Sequence, residues 1–335
     1  MNILFPLVRA GSGSDIFTYN LVSGLNNLSV HADVQYLPGW TGYVPSLMGR
    51  ICRPEGYDLI HSNTWNGYSF TKIKPTVVTA HSAVRLPELK KYQSISQRAF
   101  YRLVSKREAS SLKTAEYVCC VSNFTARYLE RMYGYSDSVI IYNGINTDTF
   151  CPVDKDEVPN HNDKNKKIKI FFSGNRRIMK GFDLIPKIMK ELGDKYTLTI
   201  ASGLRSQNKR TFQDNIIDLG CIRSDQIHRV YQDSDIFLFP TRLEGFGLSV
   251  AEAMACGKPV VTTDCSSLPE LVIDGKGGFL CRMDDVKAYA DAIRYIAEDE
   301  NLRIRMGRFN RQRVLDMFTL EKMTENYIKV YNRII

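Results

Sequence analysis

Six short, near-continuously apolar runs mark the first half of the chain: NILFPLV (2–8), ADVQYL (32–37), DLIHSN (58–63), TVVTAH (76–81), YVCCVS (117–122) and SVIIYN (138–143). Unbroken apolar runs of this length, rather than alternating ones, are the pattern of strands covered on both faces. Amphipathic stretches lie between several of them, at 16–28 and 124–132 for example, and predict helices. The alternation restarts at Ile168 with IKIFFSG and continues through YTLTIASG, IIDLG, IFLFP, PVVTT and GGFLC. Two helical segments close the chain, 285–297 and a long one ending at Ile335. Between the halves, 151–167 (CPVDKDEVPNHNDKNKK) is polar, charged and punctuated by proline, as a linker is. Strand–helix alternation implies parallel sheets. The expected fold is α/β, with two doubly wound domains at 1–150 and 168–318. Ligands of such sheets bind beyond the carboxyl ends of the strands, here in a cleft between the domains.

Composition narrows the class. At 44% apolar and 24% charged residues the chain reads as globular. No apolar run reaches the roughly 20 residues of a membrane span, and the first fifteen residues lack the basic start and apolar length of a signal peptide. A cytoplasmic protein is therefore expected. Eight scattered cysteines without a C-x-x-C, and five histidines without an H-E-x-x-H, read as reduced thiols and no metal site. The net charge is +9, and it is uneven: the stretch 85–113 holds eight Lys/Arg against only Glu88 and Glu108. Such a stretch is a solvated helix face or a patch for anionic lipid headgroups or an anionic substrate. No nucleic-acid motif surrounds it.

Three loops carry the chemistry. RAGSGSD (9–15) follows the first strand and opens a helix; the backbone amides of such a turn suit an anion, with Gly11 and Gly13 allowing the close approach. Ile16 stands where a dinucleotide fingerprint needs its third glycine, which argues against NAD. FFSGNRRIMKGFDLI (171–185) places Arg176, Arg177 and Lys180 beside Gly174 and Gly181 after a buried strand, a setting for a diphosphate. RLEGFGLSVAEAMACG (242–257) follows another buried strand. There Gly245 and Gly247 let the backbone approach a ligand, and the amides of Phe246 to Leu248 point from a helix start. Glu244 in that loop and Glu252 one turn into the helix are placed to accept hydrogen bonds from hydroxyls of a sugar and a ribose.

The Glu244–Glu252 spacing resembles the Glu-x7-Glu signature of glycosyltransferase family 4, a retaining, nucleotide-sugar-dependent family of the GT-B fold with two Rossmann-like domains. Other blocks match in order: VVTAH ending in His81, VSNFTARYL, IYNGINTDTFCP, FSGNRRIMKGFDLI and GKPVVTTDCSSLPELV. Two positions depart. Asn175 replaces the arginine that usually follows the glycine, leaving Arg176 or Arg177 to supply that charge, and Asn146 replaces an aspartate at a position read as structural.

The resemblance implies roles. Lys180 and an adjacent arginine stabilise the departing diphosphate, Glu252 holds the ribose, and Glu244 with the Phe246–Leu248 amides holds the transferred sugar. The backbone near Ile222 touches the base, and His81 reaches toward the sugar and the attacking oxygen. Catalytic work thus falls to His81, Glu244, Lys180 and Arg176. Substrate binding falls to Gly13, Arg177, Ile222, Gly245, Phe246, Gly247, Leu248 and Glu252. The expected reaction moves a sugar from a UDP- or GDP-sugar to a hydroxyl of a glycan or polyprenyl-diphosphate-linked acceptor in cell-envelope polysaccharide or glycoconjugate synthesis, with neither metal nor cofactor. The Asp-x-Asp strings at Asp154 and Asp233 read as structural. The closing helix, 319–335, is expected to pack back toward the first domain, and the 85–113 stretch to meet a membrane surface. A glycoside hydrolase also needs two carboxylates, but it explains neither the cationic loop nor the Gly-rich turn. A catalytically inactive homologue is the other alternative.

Overall fold

The apolar runs do form strands, and every pairing among them is parallel. The computed structural model describes residues 1–83, 85–153, 167–203 and 212–335. The chain divides into two units, Met1–Gly144 with Leu320–Ile335, and Ile145–Thr319. The greater part of the proposed linker, 154–166, including Asp154, lies outside the described residues.

In the first unit the strands are β1 (Asn2–Leu7), β2 (His31–Tyr36), β3 (Leu59–Asn63), β4 (Thr76–Ala80), β5 (Tyr117–Cys120) and β6 (Val139–Ile140), in the order β2-β1-β3-β4-β5-β6. The helices are α1 (Gly13–Asn27), α2 (Met48–Ile51), α3 (Ile95–Thr114) and α4 (Asn123–Tyr133). Local chemistry sets their ends. The Ser122 hydroxyl accepts from the Thr125 amide and starts α4, and Gly134, at φ +68°, closes it in the left-handed conformation.

The closing helix belongs to this unit. Its side chains Tyr327 and Tyr331 are fully buried with Ile3, Phe5, Phe17 and Leu21. The buried His61 ties it down: Nδ1 meets the Tyr331 hydroxyl at 2.6 Å, and Nε2 meets Thr79 Oγ1 at 2.8 Å. Thr79 in turn lies 3.0 Å from the Tyr327 hydroxyl. A side chain at Gly24 of α1 would collide with Thr324, so the two helices pack in direct contact only because this residue is glycine.

In the second unit the strands are β7 (Ile168–Ser173), β8 (Tyr196–Ser202), β9 (Ile216–Cys221), β10 (Ile236–Phe239), β11 (Val260–Thr263) and β12 (Gly278–Cys281), in the order β12-β11-β10-β7-β8-β9. Its helices are α5 (Ile185–Leu192), α6 (Ile227–Asp233), α7 (Leu248–Ala255), α8 (Leu268–Leu271), α9 (Val286–Glu298) and α10 (Glu300–Met317); α11 (Leu320–Tyr331) is the closing helix of the first unit. Both units are therefore doubly wound, Rossmann-like domains. In the second, chain order reverses between β7 and β10, and loops leaving the carboxyl ends of such neighbours frame the ligand crevice.

One boundary differs from the sequence reading. The first unit ends at Gly144 rather than 150. Arg311 on α10 donates to the carbonyls of Thr147, Phe150 and Ala255, which fastens 145–150 to the second unit. The long helical segment ending at Ile335 divides at Phe318, beside the expected domain limit of 318. Phe318 leaves helical geometry, buries its ring edge-on against Phe246 at 5.5 Å, and its carbonyl accepts from the Ile145 amide.

Candidate active site

The loops after β7 and β10 are joined in register. The Arg242 amide donates to the Met179 carbonyl at 2.8 Å, and Thr241 Oγ1 donates to the same oxygen at 3.0 Å. Gly181 has φ +67°, and a Cβ there would strike the Pro240 carbonyl. The glycine of the Lys-Gly pair is thus required both by backbone conformation and by the crossing of the two loops. Arg242, almost fully buried, completes the joint: its guanidinium reaches Asp183 Oδ1 at 2.7 Å and Asp284 Oδ1 at 2.7 Å, and also donates to the Ile178 carbonyl.

This joint brings two predicted residues together. Lys180 Nζ lies 2.5 Å from Glu244 Oε1, a partly exposed ion pair beside the ring of Phe239. Thr241 Oγ1 is 3.2 Å from the same carboxylate oxygen. The backbone on either side of Glu244 is clamped by the loop after β11. Its amide donates to Ser266 Oγ at 3.0 Å, while Ser267 Oγ donates to the carbonyls of Glu244 and Phe246. Ser266 pays for this position with a left-handed backbone, φ +52°. Neither serine was a candidate from the sequence, since its contact lies more than twenty residues away.

The two arginines separate. Arg176 is buried and forks onto the equally buried Asp218, at 2.8 and 2.7 Å, with its Nε on Ser202 Oγ. The guanidinium expected to meet the diphosphate is thus paired with a buried carboxylate. Arg177 is exposed, and no hydrogen bond or ion pair of its side chain is found among the described residues.

Gly245 and Phe246 are buried, and Gly247, at φ +107°, is the N-cap of α7, so Leu248 opens that helix as expected. Glu252 on α7 accepts from the Tyr231 hydroxyl at 2.7 Å. Burial pushes its carboxyl up to about 7, against the downward pull of that hydrogen bond. Ile222 follows β9, half-buried, at the carboxyl end of an edge strand. The Asp-x-Asp at 233–235 is structural, with Asp233 on Lys169 Nζ and Asp235 on the Lys169 amide.

In the first unit, His81 follows β4. Its ring packs edge-on against Phe17 at 4.5 Å, and its buried Nε2 has no hydrogen-bond partner among the described residues. Burial alone lowers it to about 3, so the imidazole is neutral at pH 7. A buried ring nitrogen without a partner is rare. The Gly-rich turn fares differently. The amides of Ala10 and Gly11 both donate to Asp15 Oδ2 at 2.8 Å, with Ser12 on the other oxygen. The chain's own carboxylate therefore fills the anion site expected there, and Gly13 stands as the first residue of α1 beside it.

Two family models match in sequence: Glycosyltransferase Family 4 over residues 14–149 and Glycosyl transferases group 1 over 154–313. N-acetyl-alpha-D-glucosaminyl L-malate synthase of Bacillus anthracis is 30% identical over 177 residues, half of this chain and 46% of that protein. An N,N'-diacetylbacillosaminyl-diphospho-undecaprenol alpha-1,3-N-acetylgalactosaminyltransferase of Campylobacter jejuni is 31% identical over 43% of this chain and 39% of its own length. Among solved structures, sucrose-phosphate synthase from Thermosynechococcus elongatus superposes with a TM-score of 0.85 at 21% identity, over 99% of this chain and 98% of that one. Anabaena HepE in complex with UDP and glucose gives 0.78 at 16% identity, over 99% of both chains. With its two Rossmann-like units, the chain belongs to the GT-B glycosyltransferases of the family 4 type.

Proposed function

We propose that the chain moves a sugar from a nucleoside-diphosphate sugar, UDP- or GDP-linked, to a hydroxyl of a glycan or lipid-linked acceptor, with retention of anomeric configuration. The observation that carries this reading is the Lys180–Glu244 pair beside the crevice between β7 and β10, a cation and a carboxylate held side by side. The relatives support the substrate class: one solved neighbour holds UDP and glucose, and one relative is named for a diphospho-undecaprenol substrate.

Lys180 and the exposed Arg177 neutralise the leaving diphosphate, so no metal is required for that charge. Glu252 accepts from the ribose hydroxyls. Glu244 and the start of α7 orient the transferred sugar. The acceptor oxygen forms its bond to the anomeric carbon on the face from which the phosphate oxygen departs, and the acceptor's proton passes to that phosphate oxygen. His81, neutral, offers its Nε2 as a hydrogen-bonding group rather than as a cation. The basic 85–113 stretch suits an acceptor presented at a membrane surface.

The test is turnover of UDP- and GDP-sugars in the presence of EDTA, with the product's anomeric linkage read by NMR. Retained configuration in EDTA is expected. An inverted product, or activity only with added metal, overturns the mechanism.

A further inference from the structure

We infer that the first half of α3 is an interfacial segment that seats this unit on an anionic bilayer surface. This deepens the reading of a membrane-presented acceptor and rests on it for its purpose, but its evidence is separate. Three apolar side chains there face solvent: Ile95 is 83% exposed, Phe100 51% and Leu103 47%. Isolated exposed apolar residues are ordinary, but here Ile95 and Leu103 share one side of the helix and Phe100 stands next to that side.

The helix has two distinct faces. Ser105, Glu108, Ser111 and Leu112 are buried against the unit. Positions 95, 99, 103, 106, 110 and 113 follow spacings of four and three along the opposite side. That side carries Ile95 and Leu103 and then Lys106 and Lys113, with Arg98 and Arg102 exposed at its flank. Tyr43, 79% exposed, lies alongside, its carbonyl accepting from Arg107.

Charge decides the occupant. Glu108 is the one acid in the α3 sequence, and it is buried, accepting from Tyr133 and Thr64. Glu88, the other acid of the basic stretch, is paired with Arg131 at 3.0 Å. The exposed face is left with cations, apolar groups and neutral polar residues, and no carboxylate of its own. The cores of protein interfaces are depleted of charge, whereas a helix lying in a lipid headgroup layer combines an apolar stripe with Lys and Arg that reach the phosphates. No helix among the described residues is long and apolar enough to cross a membrane, so contact through α3 is peripheral.

The test sediments the full chain with vesicles of phosphatidylglycerol and phosphatidylcholine in equal parts, and with phosphatidylcholine alone. Ile95→Glu/Leu103→Glu is run beside the parent, and both are titrated with UDP or GDP. Expected is binding to the anionic vesicles only, weakened at least about tenfold in the double variant, with nucleotide binding unchanged because the altered side chains are exposed and far in sequence from the donor loops. The inference is overturned if the parent ignores anionic vesicles, if the variant binds them equally, or if the variant instead changes the oligomeric mass, which would make the face a contact between copies. Loss of nucleotide binding by the parent would strike the donor reading alone.

Discussion

The ammonium of Lys180 stands 2.5 Å from the carboxylate of Glu244, each delivered by a loop from one of two neighbouring strands. The pair leaves the cation and the carboxylate neutralising each other. A diphosphate would compete with Glu244 for Lys180, freeing the carboxylate for a sugar hydroxyl. Glu244→Gln separates the two roles: UDP affinity is expected to hold or rise, because Lys180 loses its competitor. Turnover should fall about 10- to 100-fold, the cost of losing a charge-assisted hydrogen bond. Calorimetry and initial rates on the variant check this; weaker UDP binding would contradict it.

Arg176 and Arg177 predict opposite phenotypes. Removing Arg176 strips a buried carboxylate, Asp218, of its cation, and Arg176→Ala should destabilise the fold by about 3 to 5 kcal/mol. Arg177→Ala should change stability by less than about 0.5 kcal/mol, yet weaken nucleoside-diphosphate binding about tenfold by losing one charge-assisted contact. Denaturant unfolding and calorimetry on both variants decide; an Arg177 variant that binds as well as the parent would contradict the assignment.

Much of this was legible in the sequence because the central strands are buried on both faces and read as apolar runs; all twelve strands stand at the expected positions, although the edge strands β2, β6 and β9 are only partly buried. Lys180 and Glu244 were legible as candidates because each follows such a run beside a glycine. What escaped was set by long-range contacts. The Arg176–Asp218 pair spans 42 positions, and nothing local marks Arg176 as the buried member and Arg177 as the exposed one. The filling of the Gly-rich turn by Asp15 needed the turn's geometry, since an aspartate near a helix start also reads as an ordinary dipole partner.

If Glu252 holds the ribose as proposed, donor binding depends on pH. Its free carboxyl sits at about 7, and ribose hydroxyls donate to the charged form, so binding lowers it and releases a proton. Affinity should be full above pH 7 and fall as pH drops below it, by up to about tenfold per unit. Glu252→Gln should flatten that slope. In the ligand-free fold the sign reverses. A carboxyl raised above its unfolded value stabilises at low pH, and that contribution is lost as pH rises through 7. Isothermal titration between pH 5.5 and 8.5 in buffers of differing ionisation heat reads the proton directly; a flat parent profile would contradict the assignment.

Ser266 holds the Glu244 amide from a left-handed backbone, so its hydroxyl and its strain are separable. Ser266→Ala keeps the strain and loses the bond, a cost of about 1 kcal/mol. Ser266→Gly loses the same bond but relieves about 1 kcal/mol of strain, restoring stability. If the serine positions Glu244, both variants lose turnover alike. A glycine variant as active as the parent would show that the serine serves stability alone.

The most direct test of the donor site is calorimetric titration of the chain with UDP and GDP in the absence of metal, repeated with Lys180→Ala. Micromolar binding of one of them, lost in the variant while its thermal unfolding is unchanged, is the predicted result. Equal binding by the parent and by Lys180→Ala, or none by the parent, would contradict the placement of the diphosphate between β7 and β10.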